Sequence, residues 1–185
     1  MHTTIRFTVP EYDFMINAGL FDERQERLEL IYGEIVAMPP INPSHSDTID
    51  ILNYWSIENT PKDEVRVRIQ NDIGLPELNS VPEPDIAWVA AKSYRKERPR
   101  GEDVLLIIEV AESSLRTDRT LKAKLYAEAG VQDYWIVNLN EVCIEVYRQP
   151  HDGQYQDKTI YKLGDTVHPL AFPDVSLDVA KPFAQ

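Results

Sequence analysis

The run VLLIIEVAESSLRTDRTLKAKLYAEAGVQDYWIVN, residues 104–138, decides the fold. Residues 104–110 are apolar except for one glutamate, Glu109. A strand that is apolar on both faces belongs in the middle of a sheet covered by helices. From about Ser114 to Ala129 the pattern becomes helical, and Gly130 closes it. DYWIVN (133–138) and VCIEVYR (142–148) return to strand, and Asp152-Gly153 marks a hairpin turn.

Upstream, DIAWVA (85–90) and VRVRIQ (65–70) read as further strands, the second half-buried by its alternation. Ser44 is placed to cap a helix from about His45 to Glu58, with Ile49, Leu52 and Trp55 or Ser56 on one face. RLELIYGEIVAM (27–38) reads as two strands turning at Tyr32-Gly33. Thr8 and Glu11 form a capping box that opens a short helix. Strands, a helix and more strands predict an α/β domain with a mixed sheet and helices packed on it. No boundary is evident, so residues 1–185 are expected to form one domain.

An apolar fraction of 43% and a charged fraction of 27% are ordinary for a globular chain. Cys143, the one cysteine, excludes an internal disulfide and a cysteine-based zinc site, and reads as a packing residue. MHTTIRFTVPEYDF lacks the apolar run of a signal peptide, and VLLII (104–108) is too short to span a bilayer. A cytoplasmic protein without a membrane span is therefore expected. The net charge of −12 weighs against broad, non-specific nucleic-acid binding. One local basic stretch stands out, KSYRKERPR, with Lys92, Arg95, Lys96, Arg98 and Arg100. It is either a solvated loop or a loop that touches phosphates.

Glu109 ends the most apolar strand. A carboxylate buried without a partner is costly, so it is either ion-paired or bound to metal. Asp85 follows Pro84 at a strand start and shares a face with Ala87 and Val89. At 100° per residue, Leu121, Leu125, Tyr126 and Ala129 form the inner arc of the helix. Asp118 and Lys122 fall inside that arc, whereas Lys124 and Glu128 fall opposite. An inward lysine needs a carboxylate partner, with Asp118 one turn away, or a catalytic task. Two carboxylates and a lysine at strand ends suit metal-assisted hydrolysis, with Mg²⁺ or Mn²⁺ on hard oxygen ligands. Paired carboxylates also serve glycoside hydrolysis, but that chemistry leaves the lysine without a role. His45 is either a phosphate contact or water positioner, or a helix-start residue. Gln70 is either a substrate contact or a plain strand end. His151 reads as exposed, His2 and His168 carry no signal, and Trp88 and Trp135 read as core aromatics.

The run EVAESSLRTDRTLKAKLYAEAGVQDYWIVNL (109–139) closely resembles a signature of the Uma family of restriction-endonuclease-like proteins, within the PD-(D/E)xK nuclease superfamily. The matching residues are Glu109-Val110, Ser113-Ser114-Leu115, Asp118, Lys122, Tyr126, Ala127, Gly130-Val131 and Tyr134-Trp135. Pro84-Asp85 resembles the PD element, and Gly33-Glu34-Ile35 and His45 resemble N-terminal signatures of the family. The resemblance implies a three-layer αβα core with an added β-hairpin region. It implies Asp85 and Glu109 as metal ligands, with the Val110 carbonyl as a third, and Glu34 as an auxiliary carboxylate. Position 111, where the superfamily places lysine, is Ala111, so the resemblance assigns the lysine to Lys122. The implied activity is a metal-dependent endonuclease acting on DNA, and the likeness to enzymes that cut both strands adds the expectation of a homodimer. The competing expectation is a module that keeps the fold for binding or assembly without catalysis.

Overall fold

The computed structural model describes residues 4–184, so His2 lies outside the described residues. Its centre is a six-stranded mixed sheet in the order β3-β4-β5-β6-β7-β8. These are β3 Val65–Ile69, β4 Ile86–Ala90, β5 Val104–Ala111, β6 Asp133–Asn138, β7 Cys143–His151 and β8 Gln154–Lys162. β5 and β6 pair in parallel, and all other neighbours are antiparallel. The parallel pair is central because a helical crossover covers it, as the 104–138 run predicts.

Alternation along β5 splits the core into two layers. Leu106, Ile108 and Val110 face helix α2 (Pro43–Asn59) and meet its Ile49, Leu52 and Trp55. Trp55 packs 5.3 Å from Trp88 and 6.1 Å from Trp135, ring centre to ring centre, which confirms both tryptophans as core. Ile107, Glu109 and Ala111 face the opposite way, toward Ala123, Leu125 and Tyr126. The result is the three-layer αβα architecture.

The second helical layer is less regular than expected. α3 (Leu115–Thr117) and α4 (Ala123–Glu128) are joined by a π turn, Asp118–Lys122. Such wide turns are rare and recur at functional sites. α2 also starts earlier than expected. Its cap is Asn42, which accepts from the His45 amide at 2.9 Å, and not Ser44. Pro43 explains the shift, because proline suits the first helical position and lacks the amide that would need a partner there.

At the N-terminus, α1 (Val9–Asn17) opens with the Thr8–Glu11 capping box. β1 (Leu28–Ile31) and β2 (Glu34–Ala37) form a hairpin. Tyr32 and Gly33 turn it, both with positive φ, as a tight hairpin of matching twist requires. Asp152 and Gly153 do the same between β7 and β8. β9 (Thr166–Val167) and β10 (Leu177–Asp178) pair beside the α2 layer. No helix among the described residues is long and apolar enough to cross a membrane.

Candidate active site

β4 and β5 run antiparallel, so the start of one lies beside the end of the other. That places Asp85, just before β4, next to Glu109 and Val110. The Asp85 amide donates to Glu109 Oε2 at 3.3 Å, and the Val110 amide donates to Asp85 Oδ2 at 2.9 Å. Gln70, at the end of β3, donates from Nε2 to Asp85 Oδ1 at 3.4 Å. His45 reaches over from α2, with Nε2 3.2 Å from Asp85 Oδ2. It is therefore both a helix-start residue and a member of the site.

The π turn delivers the remaining groups. Asp118 and Lys122 stand at its two ends, and each is buried. Lys122 Nζ lies 3.0 Å from Glu109 Oε1 and 3.2 Å from Glu29 Oε1. Asp118 forms no ion pair with Lys122, so Glu109 and Glu29 take the place foreseen for it. Tyr126, one turn on, donates its hydroxyl to Glu109 Oε1 at 2.8 Å. Lys124 points to solvent and pairs with Glu128, as its place on the outer arc predicts.

Glu29 was missed by the sequence reading, which favoured Glu34. The hairpin register puts Glu34 beside the turn, opposite Ile31. There its side chain is 54% exposed and pairs with Arg6, away from the cleft. Glu29 is 1% exposed. It lies within Leu28-Glu29-Leu30-Ile31, an acid embedded in apolar sequence. The same anomaly singled out Glu109 and could have found it.

The cleft is lined by the turn after β2, the α2 start, Glu29, Glu83, Asp85, Glu109, Asp118 and Lys122, with Glu112 to Ser114 at the rim. Four buried carboxylates share one buried lysine, and this sets the proton affinities. Burial, aided by the charges of Asp85, Asp118 and Glu29, pushes Glu109 up to about 8 against the pull of Lys122. Burial likewise raises Asp118 to about 6. Asp85 moves the other way. Burial would raise it, but His45, the Val110 amide and Lys122 hold it below the usual carboxylate range. Lys122 stays charged, because the surrounding carboxylates outweigh the cost of its burial.

Among the described residues no three carboxylate, imidazole or thiolate groups are already gathered into a metal cage. The donor set nonetheless fits a hard divalent cation. It is rich in carboxylate oxygen, and Glu29 Oε2, Asp118 Oδ2 and His45 Nδ1 are buried with no hydrogen-bond partner. Buried polar atoms left without partners in a cleft call for a ligand or an ion.

The 92–100 loop is not brought to this cleft. It leaves the far end of β4, where Lys92 pairs with Asp103 at 2.7 Å. Arg98 is held by Asp13 and Asp72, and Arg100 lies 3.6 Å from Glu77.

The sheet order, the two helical layers and the carboxylates at strand ends define a restriction-endonuclease-like α/β domain. The family model described as "Uma2: Putative restriction endonuclease" matches residues 9–180, and the chain belongs to this family. Among solved structures, one described as "a putative nuclease belonging to DUF820 from Anabaena variabilis ATCC 29413" superposes with a TM-score of 0.70. The two share 17% identity over 88% of this chain and 92% of that chain, a likeness of fold. No curated protein matches the sequence.

Proposed function

We propose that the cleft is the active site of a Mg²⁺- or Mn²⁺-dependent endonuclease that hydrolyses phosphodiester bonds in DNA. The observation that carries this reading is the convergence of Asp85, Glu109 and Lys122 within one buried hydrogen-bonded cluster. Asp85 and Glu109 would hold the cation, with the Val110 carbonyl as a third donor. When bound, the cation polarises the phosphoryl oxygen and acidifies a water. Lys122 stands where a fixed positive charge can orient the attacking water and stabilise charge that develops on the phosphoryl group. Glu29 and Tyr126 position this pair by binding Lys122 and Glu109 from behind. His45 steadies Asp85 at the cleft mouth, and Gln70 does so from the β3 side.

The second reading, a nuclease-fold module without catalysis, has one observation in its favour. Lys122 is already bound by two carboxylates, and Ala111 stands where a strand lysine would be. Calorimetry with Mn²⁺ and a plasmid-nicking assay separate the two. The endonuclease reading requires Mn²⁺ binding that disappears in Asp85→Asn and Glu109→Gln, together with nicking by the wild type. Mn²⁺ binding without nicking of any DNA would leave only the module. A homodimer would set two clefts against two strands, and sedimentation measures that directly.

A further inference from the structure

β3 is an edge strand of the sheet, and it carries two cations outside the cleft. Val65, Val67 and Ile69 turn toward the α2 layer. Arg66 and Arg68 therefore project from the other face, the face of Asp85 and Glu109. The register fixes their places, with Arg68 beside Ala87 and Arg66 beside Val89 of β4. Gln70 continues the row, its amide donating to the Asp85 carbonyl at 3.0 Å. The row Gln70, Arg68, Arg66 thus begins at Asp85 and runs outward, with neighbours spaced about 7 Å apart.

Lys92, Arg98 and Arg100, nearby in the fold, are matched with acids, but these two arginines are not. Neither has a carboxylate within 4.0 Å among the described residues. Asp72, whose charge reaches Arg68, is itself bound to Arg98. Arg68 Nε is buried without a hydrogen-bond partner, and its Nη2 reaches only the Asp72 carbonyl, at 3.4 Å. Both guanidinium carbons lie 5.9 Å from the centre of the Tyr94 ring, and Lys92 Nζ lies 5.5 Å from it. The ring gathers three cations that would otherwise repel one another. A chain of net charge −12 thus keeps two guanidinium groups without carboxylate partners on one sheet edge, in a row that leads to its carboxylate site.

The geometry points to the Arg66–Arg68 row, braced by Tyr94, as a track that holds the sugar–phosphate backbone of DNA and leads it to Asp85. This assignment rests on the nuclease reading of the cleft. Guanidinium groups bind phosphate oxygens in a fork, and contacts of this kind position a strand without reading its sequence. Arg95 and Lys96 follow Tyr94 in the sequence and are exposed, as is Glu97 after them.

The test is fluorescence anisotropy of a short fluorescein-labelled DNA duplex in EDTA, titrated over a range of salt. Arg66→Gln/Arg68→Gln is compared with Lys162→Gln/Lys181→Gln, which removes the same charge elsewhere on the chain. The arginine variant is expected to bind about tenfold more weakly, with the slope of log K against log salt reduced by about 2. The lysine variant should keep both values. Arg66→Gln alone, at an exposed position, should show part of the loss and guards against a folding defect. Wild-type affinity and slope in the arginine variants, or no duplex binding by the wild type, would overturn the track. Binding through the row by a chain that nicks no DNA would uphold the track and remove the nuclease reading. Unchanged nicking kinetics in the double variant would do the reverse.

Discussion

Asp85 and Glu109 are fastened to each other through backbone amides. The Asp85 amide holds the Glu109 carboxylate, and the amide after Glu109 holds the Asp85 carboxylate. Asp85 immediately precedes β4 and Glu109 follows its paired Ile108 on β5, so the β4–β5 pairing brings the two together, and Gln70 and His45 also hold Asp85. Isosteric Asp85→Asn and Glu109→Gln should therefore fold normally by circular dichroism. Each should lose Mn²⁺ binding in calorimetry and at least about a hundredfold in nicking rate.

Glu29 binds Lys122 through Oε1, while its Oε2 has no hydrogen-bond partner. Glu29→Gln should keep Mn²⁺ binding and lower the nicking rate about 10- to 100-fold, the scale of lost outer-shell partners. Lys122→Met should cost more in stability, about 3–5 kcal/mol by urea denaturation, because Glu29 would remain buried without its cation. The double variant Glu29→Gln/Lys122→Met should recover part of that loss. A double variant no more stable than Lys122→Met would contradict the proposed pairing.

The raised affinity of Glu109 gives metal binding a proton cost. Below about pH 8 the metal-free site retains a proton that the cation must displace. Mn²⁺ affinity should rise with pH up to that value, and calorimetry in buffers of different ionisation enthalpy should detect the released proton. Metal-free stability should move oppositely. The folded chain holds this proton above the ordinary value of 4.5, where the unfolded chain has lost it, so stability falls as pH rises between 4.5 and about 8. Glu109→Gln should flatten that slope.

Glu145 on β7 shows the reverse sign. Its buried side chain would be raised by burial, but Arg119, Lys158, Tyr147 and Asn138 bring it down to about 2. Its contribution is present above the unfolded value near 4.5 and is lost as pH falls through about 2. Because Arg119 and Lys158 are partly exposed, solvent screens part of the gain. Glu145→Gln should cost about 1–3 kcal/mol at neutral pH and reduce the acid sensitivity of thermal unfolding.

Much of this arrangement is legible in the sequence where local pattern decides. The apolar run around Glu109 locates the central strand, Pro84-Asp85 locates its partner, and helical spacing separates Lys122 from Lys124. The features that escape it depend on contacts between distant residues. Nothing near Lys92, Arg98 or Arg100 announces Asp103, Asp13, Asp72 or Glu77 as their partners. Arg66 and Arg68 look like the polar half of an ordinary amphipathic strand until the edge position and Tyr94 are known. Glu34 drew attention because it lies in a family-like Gly-Glu-Ile string, but hairpin register turned it outward and Glu29 inward.

The π turn at Asp118–Lys122 makes the spacing of this helix a matter of counting. It holds more chain per turn than an α-helix would. Deleting any one of Arg119, Thr120 or Leu121 would let the segment relax to ordinary winding. A wide turn of this kind is an α-helix that has absorbed one extra residue, so the flanking turns would keep their facing, with Leu125 and Tyr126 in the core and Asp118 at the cleft. Deleting a residue from the regular turn that follows would instead rotate the ends against each other by about 100°. The wide turn is therefore a reserve of length, the one place in this helix where the loss of a residue is expected to leave the site aligned.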